Sequence, residues 1–314
     1  MTTSPHPVRL PALDGLRAIA VVLVLAGHGS EAYLPHIGES IWLAPFVNAS
    51  LGVRLFFVLS GFLITTLLLR EHQRNGFIDW RAFLFRRCLR IWPALYVYLF
   101  VMLLLTALGI LEISPGQFLA AGTFSWNYAS LWLHHGSPQG SWFLGHLWTL
   151  ALEQQFYLIW PLIIVALGWR YSARLAILIP LVLPVLRVLS WLFLPDQRGQ
   201  LGMMFHTAID SILIGCAFAI YQQPIRQWLV CRQWALPLAF VFVFLLSPLL
   251  GDLLRPWRIT VGFGLDGVAC GVLILAARDP FSQLSQRWAR LLQWRPLVGI
   301  GTISYGLYIW QQPS

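Results

Sequence analysis

Residues 52–69, GVRLFFVLSGFLITTLLL, form an apolar stretch in which Arg54 is the single charged residue. A helix of this length extends about 27 Å, close to the ~30 Å hydrocarbon core of a bilayer. The sequence contains further stretches of this kind, and together they predict nine membrane-spanning segments: 13–31, 52–69, 91–110, 148–168, 175–193, 205–221, 235–251, 259–277 and 297–314. The predicted fold class is therefore all-α, a polytopic membrane helix bundle with about nine to ten transmembrane helices.

Composition supports this class and excludes others. The 314-residue chain is 58% hydrophobic and 11% charged, whereas a soluble domain carries about 25% charged residues. The net charge of +9 lies mainly in short loops between apolar segments, where it orients the helices, so nucleic-acid binding is not expected. The absence of lysine from the sequence excludes a lysine nucleophile. The four cysteines are far apart and lack metal-ligand spacing, so neither a disulfide nor a metal site is expected.

The segment 117–134 decides the topology. Polar residues interrupt it, so it is either a further span or a re-entrant or interfacial segment. If it does not cross, a cytoplasmic amino terminus places fifteen loop arginines inside and three outside. If it crosses, the count becomes ten inside and eight outside. Cytoplasmic loops collect positive charge, so the non-crossing topology is favoured, and the first segment is interpreted as a retained span.

Ionisable side chains within apolar segments are candidate functional residues, with structural ion pairs between helices as the alternative. They are Arg17, His28, Arg54, Glu153, Arg187, Asp210 and Asp266. The favoured topology places five of them in the outer half of the membrane, with His146 at the same level: His28, Arg54, Glu153, Arg187 and Asp210. A histidine with carboxylates and arginines can supply a general base and cations for an oxyanion, as acyl transfer requires. A proton-coupled transporter uses the same residue types.

A second signal is the segment REHQRNGFIDWRAFLFRRCLRIWP at 70–93, which contains six arginines. Arg87 and Arg90 are three residues apart and share a helix face, where their guanidinium groups could hold the phosphates of a nucleotide diphosphate. Topology anchoring or contact with anionic lipid is the alternative. Arg17 and His28 are eleven positions apart, about 16 Å along a helix. An elongated donor held by its phosphates, such as a coenzyme A thioester, could therefore present its far end to His28.

These motifs resemble those of the transmembrane acyltransferase-3 family, whose members O-acylate bacterial surface glycans. LPALDGLRAIAVVLVLAGHG at 10–29 is similar to the first helix of the family, with Arg17 and His28 at the positions of its active-site pair. GVRLFFVLSGFLIT at 52–65 resembles its second helix, and RRCLRIWPALY at 86–96 its arginine motif for acyl-CoA. The stretch 145–162 resembles its histidine-tryptophan-glutamate segment, and GTISYGLYIWQQP at 301–313 its penultimate helix.

The resemblance implies an integral membrane O-acyltransferase in the bacterial cytoplasmic membrane, with its amino terminus in the cytoplasm. Its donor would be cytoplasmic acyl-CoA, such as acetyl-CoA, and its acceptor a hydroxyl of a cell-surface or lipid-linked glycan. The expected catalytic residues are His28, Glu153, Arg17 and Arg54, and the expected acyl-CoA-binding residues are Arg86, Arg87 and Arg90. Supporting roles are expected for Asp14, Ser60, His146, Trp148, Arg187, Asp210 and Tyr305. Neither a metal nor a permanently bound cofactor is expected.

In this hypothesis His28 deprotonates the acceptor hydroxyl, Glu153 or a neighbour fixes its imidazole, and Arg54 or Arg17 stabilises negative charge. An acyl-histidine intermediate is the other course. Residues 1–314 are expected to form one membrane domain that lacks the last helix of the family, with membrane lipids and a periplasmic protein as further partners. Two other interpretations stay open: a transporter or flippase of a lipid-linked or acidic solute, and an inactive accessory subunit.

Overall fold

The computed structural model describes residues 10–33, 46–133, 136–254 and 256–312. Within these ranges the backbone forms helices, turns and short connections and contains no β-strand. The predicted all-α fold is therefore confirmed.

The first part of the chain forms three long helices and then three short ones. The long ones are α1 (Pro11–Tyr33), α2 (Ala49–Asn75) and α3 (Trp80–Ala107). The short ones are α4 (Pro115–Gly122), α5 (Ala129–Trp132), which follows a 3-10 turn at Trp126–Tyr128, and α6 (Pro138–Gly145).

The second part begins with the long helix α7 (Trp148–Phe193). After a 3-10 turn at Pro195–Gln200 come α8 (Phe205–Ala208), α9 (Asp210–Ile220), α10 (Gln222–Cys231) and α11 (Ala235–Val241). A π-helical turn at Phe242–Leu246 leads into α12 (Ser247–Leu253), and another at Arg258–Gly262 leads into α13 (Phe263–Arg278). The described chain closes with α14 (Gln283–Leu292) and α15 (Arg295–Trp310).

Five helices are long and apolar enough to cross a membrane: Pro11–Ser30, Ala49–Asn75, Trp80–Ala107, Trp148–Phe193 and Arg258–Arg278. A sixth is obtained if α10 and Ala235–Gly251, which are bent by 97°, form one broken span. The described residues therefore support a membrane protein with five or six such helices. The number nine to ten stays a prediction.

Particular segments account for the difference. The predicted spans 148–168 and 175–193 both fall within α7, a run of 46 residues. Gly168 leaves the helical conformation there, with φ 75° and ψ 167°, so the break coincides with the predicted end of the first span. The segment 205–221 contains the four-residue α8 and the 11-residue α9, and 297–314 overlaps the 16-residue α15, which begins at Arg295. Each of these helices is shorter than the roughly 20 residues of a typical span.

The segment 117–134 forms several short pieces. Ser114 caps α4, because its hydroxyl accepts a hydrogen bond from the Gln117 N–H at 3.3 Å. The eight residues of α4 extend about 12 Å, less than half of the hydrocarbon core. None of these pieces is long enough to cross alone, which agrees with the non-crossing interpretation. Residue 134 lies outside the described residues.

A tight connection joins α2 to α3. Gly76 ends α2 with φ 80°, a left-handed conformation that glycine adopts without steric cost. Asp79 begins α3, because its carboxylate accepts a hydrogen bond from the Ala82 N–H at 3.0 Å. The arginine-rich segment therefore covers the end of α2, this connection and the first turns of α3.

Glycines allow α2 and α9 to pack with their backbones in contact. A Cβ atom at Gly61 would lie 1.9 Å from the carbonyl oxygen of Ile212, and one at Gly215 would lie 2.1 Å from that of Val58. Small residues at helix crossings are typical of membrane proteins, where association depends on close van der Waals packing. This contact fixes α2, which carries Arg54 and Ser60, against the second part of the chain.

We expect Gly61→Ala to destabilise the protein by about 1–3 kcal/mol, because the added methyl group forces α2 and α9 apart. The measurement is thermal unfolding of the purified protein in detergent. Gly299→Ala is the matched control, since its added methyl group meets no atom within 4 Å among the described residues. Equal unfolding temperatures for the two variants would contradict the assigned contact.

Candidate functional site

One cavity lies among α1, α2, α3, α7 and α15, and we call it the arginine chamber. Its charged lining residues are Arg17, Arg87, Arg90 and Glu153. Three guanidinium groups face one carboxyl group, so the lining carries surplus positive charge. Arg90 is exposed, which places it at the opening of the chamber. Such a cavity favours an anionic group, because charge attraction is strong in a medium of low dielectric constant.

Hydrogen bonds fix the position of Glu153 in this chamber. The Ser60 hydroxyl donates to its Oε1 at 2.5 Å, and the Tyr157 hydroxyl donates to its Oε2 at 3.0 Å. Arg17 is held by Asp14, one helical turn earlier, at 3.0 Å. The structure therefore brings together, in or beside this chamber, four residues selected from the sequence: Arg17, Asp14, Ser60 and Glu153.

The three arginines that were predicted to bind the donor do not all face the chamber. Arg87 and Arg90 line it. Arg86 points elsewhere, with its guanidinium 3.5 Å from the Glu71 carboxylate and its side chain 59% exposed. Tyr305, also in the lining, donates its hydroxyl to the Ile91 carbonyl at 2.7 Å and so fastens α15 to α3. The structure therefore places Arg87 and Arg90 in the chamber and Arg86 outside it, and the predicted binding role of all three stays a prediction.

A second cavity, the histidine chamber, contains most of the remaining candidates. Its lining includes His28, Arg54, His146, Trp148, Asp210 and Tyr308. His28 Nδ1 lies 3.0 Å from Oε1 of Gln311. With Nδ1 of His28 bonded to Gln311, Nε2 is the ring nitrogen left for a substrate.

The structure separates Glu153 from His28, whose imidazole Glu153 or a neighbour was predicted to orient. The two side chains line different chambers, and the group that contacts His28 is Gln311. Glu153 bonds Ser60, which is six residues beyond Arg54 on α2, or about 9 Å along the helix. Glu153 therefore lies more than one helical turn from the level at which it was predicted.

Two buried ion pairs support the histidine chamber. Arg54 Nε lies 3.1 Å from the Asp266 carboxylate, and Arg187 lies 2.8 Å from that of Asp210. Arg187 also donates to the carbonyl groups of Thr207, Ile259 and Thr260. Phe263 lies between the two arginines, with its ring centre 3.7 Å from the guanidinium carbon of Arg54 and 4.9 Å from that of Arg187. These contacts give Arg187 and Asp210 a structural role, because they hold α7 against α9.

The two chambers share one wall. Val53, Phe57 and Tyr308 line both cavities. Trp148 packs edge-on against Phe57, with ring centres 5.8 Å apart. The Tyr308 hydroxyl donates to the His146 carbonyl at 2.9 Å. A single layer of side chains therefore separates a site suited to an anion from a site with two histidines.

Sequence reasoning did not select Tyr157, Tyr308 or Gln311. Tyr157 is one helical turn after Glu153, and Tyr308 is one turn after Tyr305, so helical spacing from a chosen candidate would have found both. Gln311 is uncharged and carried no comparable signal.

Comparisons with known proteins identify the family of the chain. Residues 10–313 match the family described as an acyltransferase domain, so the chain belongs to that family. A putative peptidoglycan O-acetyltransferase of Bacillus subtilis is 31% identical over 334 aligned residues, which cover 98% of this chain and 49% of the relative. An O-acetyltransferase of Staphylococcus aureus is 31% identical, covering 98% of the chain and 51% of the relative. A peptidoglycan O-acetyltransferase of Listeria monocytogenes is 30% identical, with coverages of 97% and 49%.

The chain thus spans about half the length of the curated relatives it matches. No solved structure matches it.

We expect Arg54→Met to destabilise the protein by about 3–5 kcal/mol, because it leaves the Asp266 carboxylate without this buried counter-charge. Adding Asp266→Leu should recover most of the loss. Arg86→Met, which removes an exposed pair worth about 0–1 kcal/mol, is the control. Thermal unfolding in detergent measures all three. No recovery in the double variant would show that the two residues are not energetically coupled.

Proposed function

We propose that the chain is the membrane domain of an O-acetyltransferase that moves an acetyl group from acetyl-CoA to a hydroxyl of a cell-wall glycan. The observation that carries this proposal is the common wall between the arginine and histidine chambers. Three of the relatives are named as O-acetyltransferases, two of them of peptidoglycan, and these names support the reaction and the acceptor class.

The arginine chamber suits the phosphates of the donor. Guanidinium groups bind phosphate oxygens through paired, charge-assisted hydrogen bonds. Arg87 and Arg90 would hold the diphosphate near the opening, and Arg17 lies farther along the route. Arg17 and His28 are about 16 Å apart along α1, which leaves room for an extended pantetheine arm between them. The thioester would then lie beside Val53, Phe57 and Tyr308.

The histidine chamber suits the transfer step. Nε2 of His28, left bare by the contact with Gln311, takes the proton of the acceptor hydroxyl as that oxygen attacks the thioester carbonyl. The C–O bond forms, the C–S bond breaks, and coenzyme A leaves as the thiolate. Arg54 lines the same chamber and stabilises the oxyanion, although its charge is shared with Asp266. The alternative mechanism has two steps, in which the acyl group is first bound covalently to the histidine as an acyl-histidine intermediate.

The same proposal gives the protein an orientation in the membrane. The arginine-rich segment and the amino terminus face the cytoplasm, where the donor is available, and the acceptor reaches the histidine chamber from the far side. The distribution of loop arginines supports this orientation. We also propose that the protein has nine to ten spans and lies in a bacterial cytoplasmic membrane. There it contacts membrane lipids and a periplasmic partner protein.

We expect Arg87→Ala combined with Arg90→Ala to weaken acetyl-CoA binding by a factor of about 100 or more. Each lost charge-assisted hydrogen bond contributes about 1.5–3 kcal/mol. Equilibrium binding of labelled acetyl-CoA to the purified protein measures the effect. Arg86→Ala is the control and should change the affinity less than about twofold, because Arg86 points away from the chamber. An equal loss of affinity in the double variant and in Arg86→Ala would indicate that overall positive charge, and not these two side chains, determines acetyl-CoA binding.

We expect His28→Gln to lower acetyl transfer about 10²–10⁴-fold, the range typical for loss of a general base. Binding of acetyl-CoA should stay unchanged, because His28 lies outside the arginine chamber. The measurement is incorporation of radiolabelled acetyl groups into glycan in membranes with wild-type or variant protein. A flippase would leave no covalent product. Normal transfer by the variant would exclude His28 as the base.

A further inference from the structure

We propose that Nδ1 of His146 accepts a hydrogen bond from a second hydroxyl of the acceptor, one that is not itself acylated. This inference rests on the proposed function and adds a contact to the acceptor side of the site. It predicts a carbohydrate acceptor with at least two free hydroxyl groups, on the same sugar or on adjacent sugars.

Burial and two aromatic contacts fix the orientation of the His146 ring. The residue lies at the end of α6, directly before α7, is 4% exposed and lines the histidine chamber together with His28. Its ring is packed edge-on against two tyrosines, with ring centres 5.9 Å from Tyr98 and 5.6 Å from Tyr308. The imidazole therefore has a defined orientation before any ligand binds.

The hydrogen bonding of His146 defines its tautomer. Nε2 lies 3.1 Å from the carbonyl oxygen of Ile309. A carbonyl oxygen only accepts, so Nε2 carries the proton, and in the neutral ring Nδ1 is a bare acceptor. His146 is 4% exposed, and this burial disfavours a second, charge-giving proton on the ring.

Among the described residues, no group donates a hydrogen bond to this acceptor atom, Nδ1 of His146. Nδ1 of His146 is buried and has no hydrogen-bond partner among the described residues. Buried polar atoms without a partner are rare in native proteins and call for an explanation. A hydroxyl group of a ligand is a suitable donor, and the chamber in which His146 lies is the one assigned to a hydroxyl-bearing acceptor.

In this proposal the two histidines of the chamber have different roles. Each has one ring nitrogen held by the protein: Nδ1 of His28 by Gln311, and Nε2 of His146 by Ile309. The remaining nitrogens are Nε2 of His28, the base of the proposed function, and Nδ1 of His146, a bare acceptor. His28 receives the proton of the reacting hydroxyl, and His146 holds a neighbouring hydroxyl so that the acceptor has one orientation.

The experiment compares two substitutions that mimic different ring nitrogens. In His146→Gln the amide N–H can still reach the Ile309 carbonyl, but no acceptor remains at the Nδ1 position. In His146→Asn the shorter amide keeps an acceptor near Nδ1 and loses the bond to Ile309. Initial rates of acetyl transfer from radiolabelled acetyl-CoA to soluble N-acetylglucosamine oligomers are measured with the full chain in lipid vesicles.

We expect His146→Gln to raise the KM for the oligomer about tenfold, as loss of one hydrogen bond to a substrate does, and to leave the KM for acetyl-CoA unchanged. His146→Asn should lie closer to wild type. An unchanged oligomer KM in His146→Gln, or equal changes in the KM of both substrates, overturns the inference.

A second measurement does not depend on activity. In the ¹⁵N spectrum of histidine-labelled protein, the His146 signals are those missing from His146→Gln. They should show a protonated Nε2 and a bare Nδ1, and a protonated Nδ1 overturns the inference by itself. Absence of transfer by the wild-type protein to the oligomers and to cell-wall glycan would instead refute the proposed function, and the tautomer would still be decided by the spectrum.

Discussion

An arginine placed within a membrane domain needs a counter-charge, and the arrangement of this protein follows from three such requirements. Arg17 is paired with Asp14 on its own helix. Arg54 and Arg187 are paired across helices, α2 with α13 and α7 with α9. Because a buried charge without its partner is costly, the two pairs that join different helices fix which of these helices are neighbours.

The same pairing separates two chemical environments. Near the histidine chamber, the positive charges of Arg54 and Arg187 are balanced by Asp266 and Asp210, so the hydrogen-bonding groups of His28 and His146 decide its chemistry. In the arginine chamber, Arg17, Arg87 and Arg90 outnumber the carboxyl group of Glu153. The protein therefore has one chamber with surplus positive charge and one lined by two histidines, and three side chains line both. In the proposed function the first binds the anionic donor and the second carries out proton transfer.

Sequence reasoning predicted the helical class, because hydropathy over about 20 residues is a strong signal. It also grouped Arg87 with Arg90, because they are three residues apart on one helix. It also grouped Arg86 with them, whereas Arg86 faces Glu71, since adjacent residues on a helix are about 100° apart around the axis. It placed Glu153 level with His28, whereas the two line different chambers. Depth along a straight segment does not report which neighbouring helix a side chain faces. Contacts such as His28 with Gln311 join residues that are 283 positions apart, and no local pattern encodes them.

The wall of Val53, Phe57 and Tyr308 has a further consequence for the cell. Two polar cavities that share a wall in a membrane domain come close to forming a pore, and a cell membrane must keep its electrical potential. Two aromatic rings and a branched aliphatic side chain lie between the polar linings, and the bond of Tyr308 to the His146 carbonyl holds one ring in place. In the proposed function, the layer that the donor crosses therefore also limits leakage of ions through the membrane.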